Sequence, residues 1–286
     1  MKPPIRIIPR LDIKGPNLVK GIHLEGLRVL GKPEQFARYY YESGADELMY
    51  VDVVASLYDR NSLQDIISRT AREIFIPLTV GGGLRTIDDI KTVLKAGADK
   101  VSLNTAVIKN PEIIREASKV FGSSTIVVTI EAIKQPDGSY LAYVDNGRQY
   151  TGINAVEWAE RVEELGAGEI VITSVDREGT GAGFDVELSG LICDKVSIPV
   201  VVHGGAGKLD HLREILEVPG VDAISVASIL HYDFIRRNPV EFEAGTEGNI
   251  EFLKSGKTYN VISSHNLREI KEDLHGKDIP CRYESE

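Results

Sequence analysis

The chain has 286 residues, 42% hydrophobic and 27% charged, with a formal net charge of −10 and two cysteines. This length suits one large domain, and barrels commonly run to about 250 residues as a single unit. The negative balance gives no electrostatic support to nucleic-acid binding. Cys193 and Cys281 have neither metal-ligand spacing nor a disulfide framework. No metal or organic cofactor is therefore expected, and a reducing cytoplasm is the expected location. The basic start Met1–Arg10 lacks an apolar stretch after it, and no apolar run is long enough to span a membrane.

Along the chain, short β-branched runs near 5–12, 47–53, 76–81 and 99–104 predict four strands. A second set near 125–131, 169–175, 198–203 and 221–227 predicts four more. None alternates clearly between apolar and polar residues, as expected of strands buried on both faces. Helical patterns such as Pro33 to Ser43, Thr86 to Ala96 and Ala155 to Leu165 lie between them, and a closing helix is predicted at Ser264 to Leu274. Residues 14–32, Gly-rich and polar, read as a mobile loop after the first strand, and 234–262 as an insertion after the eighth.

The two sets repeat one another. Ile76-Pro77-Leu78-Thr79-Val80-Gly81-Gly82-Gly83 matches Ile198-Pro199-Val200-Val201-Val202-His203-Gly204-Gly205-Ala206. Ser102 lies 20 residues past Gly82, and Ser225 lies 20 past Gly205. Gly44-Ala45-Asp46-Glu47 is echoed at Gly166-Ala167-Gly168-Glu169, about 122 positions on. Strands alternating with helices give a parallel sheet, and two four-unit halves give a closed (β/α)₈ TIM barrel. The halves fall at about 1–122 and 123–286, in one domain. A doubly wound open sheet would leave the duplication unexplained.

In such a barrel the C-terminal strand ends carry the chemistry. Gly81-Gly82-Gly83 and Gly204-Gly205-Ala206-Gly207 each sit where a strand hands over to a helix. Backbone amides and a helix N-terminus there can hold phosphate. Either run alone could be a plain tight turn. Two at matching positions, with Asn104-Thr105 and Ala227-Ser228 following, point to a substrate with a phosphate at each end. Asp12 and Glu131 end opposite strands and suit general acid and base work; a solvated or salt-bridged pair is the plain alternative. Thr173 through Gly181, including Asp176 and Gly179, forms a donor-rich turn that could help hold the second phosphate. His203 reads either as a packed hydrogen-bonding residue or as part of the site. Arg6, Glu47, Lys100 and Glu169 lie at the other end of the strands, where physics alone favours mutual neutralisation and stability.

Together these residues resemble the cyclase subunits of imidazole glycerol phosphate synthase. The resemblance covers about 4–232 and the final helix, and rests on Arg6-Ile7-Ile8-Pro9 with Leu11-Asp12, Leu18-Val19-Lys20-Gly21, Gly44 to Leu48, Pro77 to Gly83, Gly97 to Ser102 and Thr173 to Thr180. It implies a glutaminase partner docked on the N-terminal face, in a heterodimer. Ammonia from that partner would rise through the barrel to a bis-phosphorylated ribulosyl aminoimidazole carboxamide intermediate. The implied products are imidazole glycerol phosphate and an aminoimidazole carboxamide ribotide.

By resemblance Arg6, Glu47, Lys100 and Glu169 gate the channel, and Asp99 contacts the glutaminase. Asp12 is the first catalytic carboxylate and Lys20 the substrate-contacting lysine of the first loop. Gly82, Asn104 and Thr105 form one phosphate site; Gly179, Gly205, Ala227 and Ser228 form the other. Three positions depart from the family pattern: Glu131 stands for an aspartate, His203 for a small serine, and Arg10 for a small residue usually cysteine. The 234–262 segment is also longer than usual. These departures resemble a sub-branch of cyclase-like proteins that relay ammonia for amidation of a nucleotide-linked sugar, which is the second functional expectation.

Overall fold

The computed structural model describes residues 3–55, 63–238 and 262–283. Its strands in chain order are β1 (Arg6–Lys14), β2 (Asn17–Ile22), β3 (Glu25–Gly31), β4 (Leu48–Asp52), β5 (Leu78–Gly81) and β6 (Lys100–Leu103). They continue with β7 (Ile126–Lys134), β8 (Tyr140–Val144), β9 (Gln149–Asn154), β10 (Glu169–Ser174), β11 (Val200–His203) and β12 (Val221–Val226). Parallel pairing runs β10-β11-β12-β1-β4-β5-β6-β7, and β7 pairs with β10 to close the ring. The chain therefore forms an α/β, (β/α)₈ barrel. β1 and β7 stand four strands apart in either direction around it.

The barrel strands form because both faces are covered. Outward side chains such as Ile7, Leu11, Leu48, Val101, Ile126, Ile130, Ile170 and Ile224 meet the helices in one large apolar core. The inward set Ile8, Met49, Val127, Val171, Val201 and Ala223 forms a separate apolar layer inside the barrel. Side-chain alternation along each strand puts charges below that layer and polar groups above it.

Helix ends are set locally. Thr86 and Asp89 form a reciprocal capping box at Ile87–Ala96, Asn154 caps Ala155–Glu164, and Asp185 caps Val186–Cys193. The closing helix runs Leu267–His275, with Asn266 and Glu269 as its capping box, so it begins three residues after the predicted Ser264.

Residues 14–32 correct the loop expectation: most of this segment is a β-hairpin. β2 pairs antiparallel with β1 (Asp12 opposite Val19), and β3 pairs with β2. Leu18 and Val19 are fully buried, which fixes the register. The turn residues His23 and Leu24 both have left-handed φ, 53° and 61°. Without the Asn-Gly or Asp-Gly signal such turns favour, the hairpin was hard to see in the sequence. A matching hairpin, β8–β9, follows the fifth barrel strand β7 and turns through Asp145, Asn146 and Gly147. Of the expected insertion 234–262, residues 234–237 belong to the helix Ser228–Arg237, while 239–261 lie outside the described residues.

Candidate functional site

At the N-terminal end of the barrel the four predicted charges meet in a closed cycle. Arg6 donates to Glu47 at 2.6 Å and to Glu169 at 2.7 Å; Lys100 reaches both carboxylates at 3.0 Å. Each cation has two anions and each anion two cations. Asp99 lies beside this floor, exposed, and accepts from the backbone N–H of Leu78 at 2.9 Å. Asp46 does the same for Ile7 at 2.8 Å and Asp222 for Val200 at 3.1 Å. This repeated contact ties the start of one strand to the start of its neighbour.

Above the apolar layer the lumen turns polar. The Ser102 and Thr129 hydroxyls pair at 2.5 Å. Arg10, 1% exposed, donates from Nε to Asp12 at 2.8 Å and from a terminal nitrogen to Thr173 at 3.4 Å. Asp12, 2% exposed, also has the Lys20 ammonium at 3.7 Å. Burial alone would raise the Asp12 pKa, but the nearby Arg10 and Lys20 outweigh it and bring it down to about 2. Across the barrel, Glu131 accepts from the Gly147 N–H at 2.8 Å. Burial dominates there, and its pKa is pushed up to about 7 against the opposing pull of Gly147 and Arg10. The environments of two buried carboxylates on opposite strands thus push their pKa values apart, one down to about 2 and one up to about 7. That is the electrostatic division of labour of an acid and a base.

The first glycine turn opens on a cavity of about 150 Å³. Gly82, Asn104, Thr105 and Glu131 line it, as do the cations Arg85 and Lys109. Gly82 has φ 98°, and an added Cβ would collide with the backbone of Asp52. Only glycine permits this close approach. The hairpin turn β8–β9 reaches the same rim, where Asn146 bonds the Val53 carbonyl.

The second glycine turn forms a narrower cleft with Gly179, Gly205, Ala227 and Ser228. Lys20, Glu178, His203 and Ser225 complete its lining. Gly205, at φ 104°, has its Cα against the Gly183 backbone and again excludes a side chain. Lys20 pairs with Glu178, whose other carboxylate oxygen accepts from Leu24 N–H at 2.9 Å. Glu178 therefore fastens the β2–β3 turn over the cleft. Burial brings the Lys20 pKa down to about 8.

The structure does not bring all the expected residues together. Asp176 lines neither glycine pocket; it accepts from the Lys134 N–H at 2.8 Å and faces a separate depression. Thr173 is fully buried beneath Arg10. Sequence reasoning does not single out Arg85, Lys109 or Gly147, and it includes Glu178 within Thr173–Gly181 without a role of its own. Arg85 had a usable signal, since Lys208 occupies the same offset after the second glycine turn. Gly147 and Glu178 act through contacts of two hairpins, with Glu131 and with Leu24, that no local pattern announces. Among the described residues no group of three or more His, Cys, Asp or Glu could hold a metal. Cys193 and Cys281 are free thiols. Among the same residues no helix is long and apolar enough to cross a membrane.

Comparison with known proteins agrees with this architecture. A family model described as a histidine biosynthesis protein matches residues 6–236. The chain belongs to this family. It is also 54% identical over 209 residues to the imidazole glycerol phosphate synthase subunit HisF of Legionella pneumophila, covering 73% of this chain and 99% of that protein. The family match takes in all eight barrel strands and both glycine turns, and ends before the helix Leu267–His275.

Proposed function

We propose that this histidine-biosynthesis family member is the ammonia-dependent cyclase subunit of an imidazole glycerol phosphate synthase, a lyase working in a glutamine amidotransferase complex. Its substrate is the bis-phosphorylated ribulosyl aminoimidazole carboxamide intermediate. Its products, with ammonia as co-substrate, are imidazole glycerol phosphate, the aminoimidazole carboxamide ribotide and the water that carries off the ribulosyl carbonyl oxygen. The observation that carries this reading is the pair Asp12 and Glu131, buried on opposite strands between two glycine-lined pockets, in environments that push their pKa values apart.

One substrate phosphate sits on Gly82, Asn104 and Thr105; the other sits on Gly179, Gly205, Ala227 and Ser228, with Lys20 beside it. The substrate is then stretched across the mouth, with its reacting centre between the two carboxylates. Asp12, ionised at neutral pH, accepts a proton as ammonia adds. Glu131, protonated over part of the neutral range, donates one as the carbon–nitrogen bond breaks. Ammonia reaches this point from a glutaminase bound on the floor, near Asp99. It passes the Arg6–Glu47–Lys100–Glu169 ring and then the layer of Ile8, Met49, Val127, Val171, Val201 and Ala223. A dry lumen suits neutral ammonia and excludes ions. The complex works in the cytoplasm and needs neither nucleic acid nor membrane.

A second reading, ammonia relay for amidation of a nucleotide-linked sugar, is favoured by one observation. Arg10 occupies the lumen and engages an oxygen of Asp12. Turnover of the bis-phosphorylated ribotide by the purified chain with excess ammonium salt separates the two. Release of the carboxamide ribotide, abolished in Asp12→Asn, is the expected result. No release by the native chain, with activity gained in Glu131→Asp, would transfer the lead to the sugar reading.

A further inference from the structure

His203 ends β11 and is 3% exposed. Its Nδ1 lies 3.0 Å from the carbonyl oxygen of Ser225. A carbonyl only accepts, so Nδ1 carries the hydrogen and donates it. With Nδ1 protonated, Nε2 of a neutral ring is a bare lone pair. That atom is buried and has no hydrogen-bond partner, and neither has the hydroxyl of Ser225, its cross-strand neighbour. Buried polar atoms in this state are uncommon and call for a ligand. Both residues line the second glycine cleft with Gly179, Gly205, Ala227 and Ser228.

The conflict lies in the type of partner. The cleft is built for an anion, yet every oxygen of a phosphate dianion is an acceptor, and so is Nε2. Lone pair against lone pair repels, and a proton on Nε2 converts the contact into a charge-assisted hydrogen bond. We propose that His203 makes the second glycine cleft a proton-linked anion site: a phosphate group seats there together with one proton, taken from solvent onto Nε2. The only bond formed is Nε2–H, its proton released by a solvent hydronium ion; neutral imidazole, solvent proton and phosphate dianion become imidazolium and phosphate dianion. This rests on reading the cleft as the second phosphate site.

The charges around His203 fit this role. Arg10 and Asp12 approach from β1, Lys20 from β2, and Glu178 from the turn after β10, already paired with Lys20. Burial first, then Arg10 and Lys20, keep the ring neutral while the cleft is empty, with Asp12 pulling the other way. A dianion seated in the cleft adds negative charge beside the ring and reverses that balance. Anion affinity then falls about tenfold for each pH unit between the pKa of His203 in the empty cleft and its pKa in the complex, the slope of one linked proton.

Sulfate is the probe, because it carries no titratable proton near neutral pH. The full chain is titrated with sodium sulfate by calorimetry at pH about 7, in two buffers of different ionisation enthalpy, beside His203→Ser and His203→Gln. At that pH Lys20 is mostly charged, and Glu131, in the first pocket, contributes equally to all three chains. The expected result is proton uptake greater in the native chain than in both variants by about one per sulfate. The His203 ring nitrogens should also change from the neutral to the imidazolium signature in ¹⁵N spectra. Equal uptake in all three chains, or a ring that stays neutral while the Gly179, Gly205 and Ser228 amides shift, would overturn the proton linkage alone. Amides that do not respond to sulfate would overturn the phosphate site itself, and the linkage with it.

Discussion

The two ends of this barrel handle charge in opposite ways. At the floor, two cations and two carboxylates alternate in a closed cycle, so every charge is answered twice. At the mouth, Arg10 and Lys20 crowd Asp12 on one side, while Glu131 across the lumen has a backbone donor and a pull from Arg10 that together do not offset its burial. The floor can be assembled in a single state. The mouth holds one carboxylate far below its ordinary pKa and one far above. Buried charge distributed unevenly in this way is costly for folding and is found where chemistry needs it.

The largest test of this contrast is Asp12→Asn. It keeps size and hydrogen bonding but removes the anion, so turnover with ammonium salt should fall by about 10³-fold or more, the scale of losing a positioned acid–base group. A loss below tenfold would mean the mouth's charge pattern is not catalytic. Next is Arg10→Gln, which leaves Asp12 buried with only the more distant Lys20. Removing one member of a buried ion pair costs about 3–5 kcal/mol. Urea unfolding at neutral pH should register that loss. It should shrink as pH is lowered toward 2, because Asp12 contributes stability above its unfolded value of 3.8 and loses it as pH falls through about 2. A loss independent of pH would assign Arg10 to packing instead.

The barrel, its eight strands and both glycine turns were legible because their signals are local and repeated. A Pro-led apolar run ending in glycines appears twice, as does a serine 20 residues on. Asp12 and Glu131 were legible because each ends such a strand. The hairpins were not. Ile22-His23-Leu24-Glu25 lacks a turn signature, and its left-handed backbone is fastened by Glu178, 154 residues from Leu24. Asp145-Asn146-Gly147 does carry one, but nothing local says that the Gly147 amide will fold back onto Glu131. The shifted pKa values were equally hidden, since they depend on burial that only the closed barrel creates.

Glu131 gives a test with the opposite sign to Asp12. Its folded pKa is raised from 4.5 to about 7, so the folded state holds the proton more tightly than the unfolded state. Its contribution is complete below about pH 4.5 and is lost as pH rises through about 7. Glu131→Gln removes that loss. The variant should therefore gain stability relative to the native chain between about pH 5 and 8, by about 1–3 kcal/mol, while its turnover falls. Parallel stability–pH curves for the two chains would show that Glu131 is not held protonated by the fold.

The floor supplies the smallest effect. Lys100→Met breaks two of the four contacts in the cycle and leaves Glu47 and Glu169 with Arg6 alone. The Lys100 side chain is 20% exposed, so solvent softens the loss, and about 1 kcal/mol is expected in thermal unfolding. If the ring meters ammonia entering from a glutaminase, the change should appear chiefly in the ratio of glutamine-driven to ammonium-driven turnover, which should fall. An unchanged ratio with the same small stability loss would return the floor to the role physics alone assigns it, closing the bottom of the barrel. The difference between floor and mouth would then be one of stability against chemistry, with no passage between them.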